Sequence, residues 1–517
     1  MQSEALDPPV PAAALAHYRE GLRLHCARDL HGALRHLQAA LQVAGEHPEI
    51  FAALATVADE GGDLRAAEKI LRHIQTIRPS PTTAIHLARV VYRQQRWAET
   101  VALLDPVLSG MPFNAQLEGV LSSALECCGQ FDRSLAIREK IFTQIPTADH
   151  AAQLAATLFR QARYDALAKE LPKLLARWPR DAGLLTTAAT WLLGSGDYPR
   201  GLSYMHDRQT VLGAQHVDAR IAACPAWDGT AFAGTLLVTL EPMLGDEVLM
   251  SSLLTDLVAM RQTSIIEVDA RCLALYQRAF PALAFVNLRS RELGDCIQPG
   301  NIYRRADTMG MLQALQRTWT LPGSPGWLLP PSALCQRKRD EYRARWPGKK
   351  LVGISWRSKQ FINGMDAKSV PLAILARTLS LPDIVFINLQ YGDAQSEIGA
   401  LQGLTAPWRD PEIDALNDID GLSAQICALD RVVAVSNATA HLAGALGVPT
   451  TVLLPRRFPV LWHWGLLSDQ TTWYGSVRLL RNPEDRGWAL LDRQLAADLT
   501  GSDLLVGPDS RRVAKSG

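Results

Sequence analysis

Ser436, Asn437, Thr439 and His441 fall within ten residues of one another, between the apolar run 432–435 and Gly447. Hydroxyls, an amide and an imidazole at a helix start suit an anion, because free backbone N–H groups and the positive end of the helix dipole converge there. Ala438, Ala440, Ala443 and Gly444 leave room for close approach, so a phosphate-bearing ligand is the natural chemistry. The plainer reading of the same residues is a strand-turn-helix unit with a Ser or Asn N-cap. Two further groups carry compatible chemistry. Trp356-Arg357-Ser358-Lys359, with Lys368-Ser369 beyond it, supplies cations and hydroxyls, and Gln390-Tyr391-Gly392-Asp393 supplies an amide and an aromatic ring. Together they suit charged oxygens, a base edge and a ribose; singly, each is also explained as surface charge, a rim aromatic or a hydrogen-bonded core histidine. A fourth group, Glu241-Pro242-Met243-Leu244-Gly245-Asp246-Glu247, places acids at a helix start. Acids there repel phosphate, so this loop suits a hydroxyl, with Asp246 as proton acceptor or, alternatively, as a simple helix cap.

The elements that must position these groups read as alternating strands and helices. Strands are expected at 235–240, 264–268 and 284–288, with helices at 247–260 and 271–280. The pattern restarts with strands at 351–355, 384–389, 431–435 and 450–454, and helices at 371–378, 421–429 and 439–446. Such alternation implies parallel sheets covered by helices, in two Rossmann-like halves, 230–345 and 346–500, facing each other across a cleft. Ligands of such sheets bind beyond the C-terminal strand ends, where all four groups fall. No GxGxxG dinucleotide fingerprint is present.

Residues 12–215 are organised differently. Pro79, Pro112, Pro146 and Pro179 recur at steps of 33 or 34, as do Leu64, Trp97, Phe131, Tyr164 and Tyr198, and the small series Gly21, Ala55, Ala88, Ser122, Ala155 and Ala189. Each unit reads as helix, short polar turn, helix, with small residues where the two helices pack closely.

The formal charge of +1 gives no electrostatic case for nucleic-acid or membrane-surface binding. The eight cysteines show no CxxC and no zinc or disulfide spacing, as in a reduced cytoplasmic protein. The N-terminus lacks the basic and apolar regions of a signal peptide, and the most apolar later stretch, 441–455, is interrupted by Gly and Pro and too short to span a bilayer. Residues 501–517 read as a flexible tail.

The 34-residue period resembles the tetratricopeptide repeat family over about six units, with Thr100, Ser134, Leu167 and Gly201 where a small Ala is usual. That departure implies less regular helix packing in those units. Residues 241–247, Asp269-Ala270-Arg271, Arg278-Ala279-Phe280-Pro281, 353–358, 388–393, Ala428-Leu429-Asp430, 441–447 and 473–478 resemble, in order, motifs of bacterial proteins that join such repeats to a GT-B glycosyltransferase domain. That family is related to heptosyltransferases and, more distantly, protein O-GlcNAc transferases. The resemblance implies an α plus α/β architecture, a repeat array followed by a GT-B pair of Rossmann-like domains. It also implies inverting, metal-independent transfer of a sugar from a nucleotide-sugar donor, with no separate cofactor, to a protein or glycan acceptor presented by the array. Asp246 then corresponds to the base on the acceptor, and Lys368 to a basic residue near the donor diphosphate. Asn437, Thr439 and His441 fall on the donor loop, with Ser358, Gln390, Ser436 and Gly444 completing the expected donor-binding set. Ser436 stands where the family usually has Asp, and Met243 where it usually has Gly. Those departures motivate the alternative, a non-catalytic repeat scaffold whose transferase-like domain binds a nucleotide or partner.

Overall fold

The computed structural model describes residues 9–212, 218–240, 243–287, 292–315, 326–358, 368–401, 403, 405–457, 460–484 and 487–501. Glu241, Pro242, Leu288, Lys359 and all of the expected tail except Gly501 lie outside them. The chain divides into two compact units, residues 1–157 and 158–517.

The first unit is a tetratricopeptide-like array of helix pairs. Its first helices, Ala12–Cys26, Pro48–Glu60, Pro81–Arg93 and Ala115–Cys127, are each followed by a partner: Leu30–Ala44, Leu64–Ile77, Trp97–Ser109 and Phe131–Gln144. Helices Ala148–Arg160 and Ala182–Gly194 keep the same step further along the chain. Polar caps fix several starts: the side chains of Asp29, Asp63 and Asn114 accept from backbone N–H groups in the first turn of their helices. The small residues lie where expected. Ala55, Ala88 and Ser122 are fully buried, and a Cβ on Gly21 would come within 2.7 Å of Leu37 Cγ.

Two of the four degraded positions carry buried hydroxyls. Thr100 and Ser134 are fully buried; the Thr100 hydroxyl donates to the Arg96 carbonyl, and the Ser122 and Ser134 hydroxyls pair at 3.0 Å. One bond back along the helix and one between paired helices satisfy the polar atoms that replace alanine methyl groups. The turn inside each pair also repeats, with a left-handed residue at Arg28, Gly62, Gln95 and Gly129, and again at Ala162 and Gly196 in the second unit.

The second unit contains two parallel sheets. β1 (Thr235–Thr239), β2 (Ser264–Val268), β3 (Ala284–Asn287) and β4 (Tyr303–Asp307) form the first, in the order β3-β2-β1-β4. β5 (Lys350–Ser355), β6 (Ile384–Asn388), β7 (Arg431–Val435), β8 (Thr450–Leu454) and β9 (Val477–Arg481) form the second, in the order β6-β5-β7-β8-β9. The sequence pattern carries no strand signal at β4 or β9. Both are edge strands with charged residues, Tyr-Arg-Arg-Ala-Asp and Val-Arg-Leu-Leu-Arg, so neither shows the apolar run of a central strand. Strand order reverses between β1 and β4 and between β5 and β7, and a crevice forms beyond the strand ends at such reversals. Val352, Ile354, Val433, Val435 and Leu453 fill the core of the second sheet.

Two helix starts differ from expectation. The helix expected from residue 247 begins three residues earlier, as Leu244–Met250, because the Glu247 N–H already bonds the Met243 carbonyl at 2.8 Å. Asp246 is therefore inside the first turn, and Met243, not Asp246, holds the cap position. The helix after β7 is Ala438–Ala445, and its cap is Asn437 rather than Ser436: extended backbone at Asn437 lets its side chain accept from Ala440 N.

Candidate active site

A cavity of about 260 Å³ opens beyond the C-terminal ends of β1, β5, β6 and β7. Its polar lining includes Asp246, Ser358, Lys368, Ser436, Asn437, Thr439 and His441, and its apolar lining includes Leu416, Ile419, Leu422, Leu442 and Leu461. Groups far apart in sequence meet because both strand-order reversals deliver their loops to this point. Met243, Arg271 and Tyr391 also line it.

Two expected members do not line the cavity. Gln390 is buried beneath it: its carbonyl oxygen accepts from Trp356 N and Arg357 N at 3.0 and 2.8 Å, and its amide donates to the carbonyls of Arg357 and Tyr391. Its hydrogen-bonding capacity goes to shaping the Trp356–Ser358 loop. Gly444 lies one layer behind, where a Cβ would come within 2.6 Å of the Tyr474 ring. Asn437 works in both places, lining the cavity while its amide ties β7 to β5 through Ser355 Oγ at 2.8 Å and the Arg357 carbonyl at 3.1 Å.

Asp246 and Lys368 face each other electrostatically. Burial raises the Asp246 carboxyl above its ordinary range and lowers the Lys368 ammonium, each against the partial opposition of the other's charge. The result is a proton acceptor of increased basicity beside a buried cation. Neighbouring Glu247 turns away from the cavity, accepting from Asp269 N at 2.9 Å, and burial pushes its carboxyl up to about 7.

Beside this pair stands an aromatic layer of which the sequence motifs point only to His441 and Tyr474. His441 is stacked on Trp464, with centroids 4.6 Å apart, and His463 meets it edge-on at 4.9 Å. Trp464 donates its indole N–H to Ser436 Oγ at 2.9 Å, so this serine is engaged by an indole. His441 Nδ1 lies 2.8 Å from the Tyr474 hydroxyl. Burial and then the Lys368 charge lower His441 to about 3, which keeps it neutral at physiological pH. Trp464 and His463 sit on the 3₁₀ turn Trp462–Trp464, a stretch with neither helical nor strand periodicity and so without a sequence signal.

Asp246, His441 and His463 each offer a ligand atom within 4.8 Å of the others. A carboxylate with two neutral imidazoles is a competent metal donor set. Burial first and the Lys368 charge last depress protonation of both histidines, and that charge opposes a metal cation in the same way. The same cation favours an anionic ligand.

The chain is thus defined by its fold as a tetratricopeptide-like helical array followed by a parallel-sheet α/β region with a polar cavity at its strand ends. No protein-family model matches it. Protein FlbA of Caulobacter vibrioides is 27% identical over 488 residues, covering 87% of this chain and 78% of FlbA. Among solved structures, MamA (residues 41 to the end) from Desulfovibrio magneticus RS-1 is similar at a TM-score of 0.31 and 16% identity, over 32% of this chain and 96% of MamA. YrrB, described as a TPR protein with an unusual peptide-binding site, is similar at a TM-score of 0.31 and 14% identity, over 33% of this chain and 90% of YrrB. Similarity at that level carries no argument about function.

Proposed function

We propose that this protein is a GT-B-type glycosyltransferase that moves a sugar from a nucleotide-sugar to a hydroxyl of a protein or glycan acceptor, with inversion and without a metal. The observation that supports it most is the convergence of Asp246, Lys368 and the Asn437–Thr439 helix start on one cavity at the two strand-order reversals. The donor diphosphate lies against Lys368 and the N-terminus of helix Ala438–Ala445, where a buried cation and free N–H groups favour it. The acceptor oxygen attacks the anomeric carbon as the bond from that carbon to the diphosphate oxygen breaks. Asp246 takes the acceptor proton, and Lys368 stabilises the charge that builds on the departing diphosphate. The helical array presents the acceptor, and the reaction takes place in the cytoplasm. Among the described residues no helix is long and apolar enough to cross a membrane.

The full-length protein with a panel of nucleotide-sugars and candidate acceptors should release nucleoside phosphate, and Asp246→Ala should abolish the release. A nucleoside diphosphate should raise the melting temperature of the native protein, and less so that of Lys368→Ala. Nucleotide binding without turnover on any donor would instead favour the non-catalytic scaffold, for which Ser436 and Met243 are the motivation.

A further inference from the structure

Tyr474 is 2% exposed and held on three sides. Its ring stacks on Trp327, with centroids 5.4 Å apart and planes 11° from parallel. Gly444 lets it approach the Ala438–Ala445 helix, and its hydroxyl lies 2.8 Å from His441 Nδ1. Burial drives the phenol well above its ordinary pKa, so the hydroxyl keeps its proton. A neutral imidazole has one donor nitrogen and one acceptor nitrogen. Among the described residues His441 is the only hydrogen-bond partner of that hydroxyl. If Nδ1 carried the proton, the phenol O–H would be left without an acceptor in a buried site, which costs about 1–3 kcal/mol. The phenol therefore donates, Nδ1 accepts, and Nε2 carries the hydrogen.

A carboxylate oxygen of Asp246 lies within 4.8 Å of a ring nitrogen of His441, and the Gly245–Asp246 step packs against the Cδ2 edge of the ring. Cδ2, bonded to Nε2, is the atom that a Cβ on Gly245 would meet at 3.0 Å, and Gly245 immediately precedes Asp246. We propose that Tyr474 is a positioning residue: it fixes His441 in the Nε2–H form, so that the ring directs a hydrogen-bond donor toward Asp246 and orients its carboxylate for the acceptor hydroxyl. The consequence for catalysis rests on the glycosyltransferase reading; the proton's position on His441 does not. The groups around the pair are Asp246 from the Leu244–Met250 helix, His463 from the Trp462–Trp464 turn, Lys368 beyond β5, and Arg271 on the cavity wall. His463 Nε2 is itself buried, with no hydrogen-bond partner among the described residues.

Nitrogen NMR of the ¹⁵N-histidine-labelled full chain, with His441 assigned by its loss in His441→Gln, reads the tautomer directly. The expected result is protonated Nε2 and bare, accepting Nδ1, unchanged between pH 5 and 8. Tyr474→Phe should convert this to a mixture or to the Nδ1–H form. A native protein with the proton on Nδ1 overturns the proposal, whether or not any sugar donor turns over. Because that measurement needs only the native chain, it decides even if Tyr474→Phe fails to fold. Where turnover is found, Tyr474→Phe should lower kcat roughly tenfold and move its acidic limb to higher pH, with little change in donor KM, because the carboxylate loses a hydrogen-bond donor. His441→Gln, whose amide reproduces an Nε2–H donor, should retain more turnover than His441→Asn; equal loss, or a Tyr474→Phe profile identical to native, also overturns it. Absence of turnover in the native protein with the Nε2–H form intact would count against the transferase reading alone.

Discussion

Particular acids and glycines of the helical array and of the strand-end cavity are put to different uses. In the array, Asp29 and Asp63 cap helices, satisfying N–H groups three residues along the chain. In the sheet region, Asp246 and Glu247 are held in surroundings that disfavour their charge. Gly62 and Gly129 in the array supply a turn, whereas Gly245 and Gly444 in the sheet region permit helices and an aromatic ring to approach. The array thus stabilises itself through small, repeated, local terms. The sheet region concentrates buried polar groups at one place and offsets their cost by packing elsewhere, an arrangement that suits a binding or reactive site.

The sharpest way to break this comparison is to remove one acid from each region. Asp246→Asn should lower turnover by about 10²- to 10⁴-fold, the usual contribution of a positioned base. Its melting temperature at pH 7 should hold or rise, since burial disfavours the charge that is removed. Asp63→Ala should do the reverse, costing about 1 kcal/mol of stability and leaving turnover unchanged. Paired activity assays and melts test both; a destabilised, active Asp246→Asn would undo the distinction.

Glu247 sharpens the point through pH. Its carboxyl is pushed up to about 7 from an ordinary value of 4.5, so the folded state binds a proton that the unfolded state releases between those values. The sign follows: its stabilising contribution is complete below about 4.5, and stability falls as pH rises to about 7. Glu247→Gln keeps the bond from Asp269 N and carries no charge. It should raise stability at pH 8 by an amount on the order of 3 kcal/mol at most, and flatten the slope of denaturant-derived stability between pH 5 and 7. An unchanged slope would show that Glu247 is not protonated in the native state.

Gly444→Ala would place a methyl group 2.6 Å from the Tyr474 ring. Because Trp327 backs that ring, it cannot withdraw freely, and overpacking of this kind costs about 1–3 kcal/mol. The expected result is a lower melting temperature together with a disturbed His441–Tyr474 contact, visible as a change in Tyr474 or His441 resonances. Gly21→Ala in the array meets the buried Leu37 side chain at 2.7 Å and the Ala33 carbonyl at 3.4 Å, so it should also lower stability, but without disturbing the His441–Tyr474 contact.

How far the sequence was legible follows the same division. The array was readable because each feature repeats: the steps of the proline series and of Gly21, Ala55, Ala88 and Ser122 locate helix pairs without any long-range information. The buried central strands were readable from apolar runs such as 431–435. Edge strands β4 and β9 were not, because Arg304, Arg305, Arg478 and Arg481 mask their period. For the site, polar residues in the loops that follow central strands identified most of the cavity's polar wall, Asp246, Lys368, Asn437 and Thr439 among it. Polarity alone could not separate Asn437, which faces the cavity, from Gln390, which is consumed in bracing a loop. Nor could it reveal that His463, Trp464 and Tyr474 converge behind His441, since that meeting depends on a 3₁₀ turn with no periodic signature.

The smallest expected effect tests the array's repeated turn. The left-handed position is glycine at Gly62 and Gly129 but Arg28 at φ 64° and Gln95 at φ 63° in the intervening pairs. A side chain in that conformation costs roughly 1–2 kcal/mol, partly offset on substitution by the greater freedom of glycine in the unfolded chain, about 0.5–1 kcal/mol. Gln94, which donates its amide to the Leu64 carbonyl and to Glu68 from the adjoining position, is left in place. Gln95→Gly should therefore raise stability by about 0.5–1 kcal/mol, measured by denaturant unfolding, with no effect on turnover. Arg28→Gly should gain less, because Arg28 also donates to Glu60 at 3.1 Å, an exposed pair worth a few tenths of a kcal/mol at most. If Gln95→Gly destabilised the protein, the Gln95 side chain would have a packing role that the uniform turn does not account for, and the array would be less modular than its period implies.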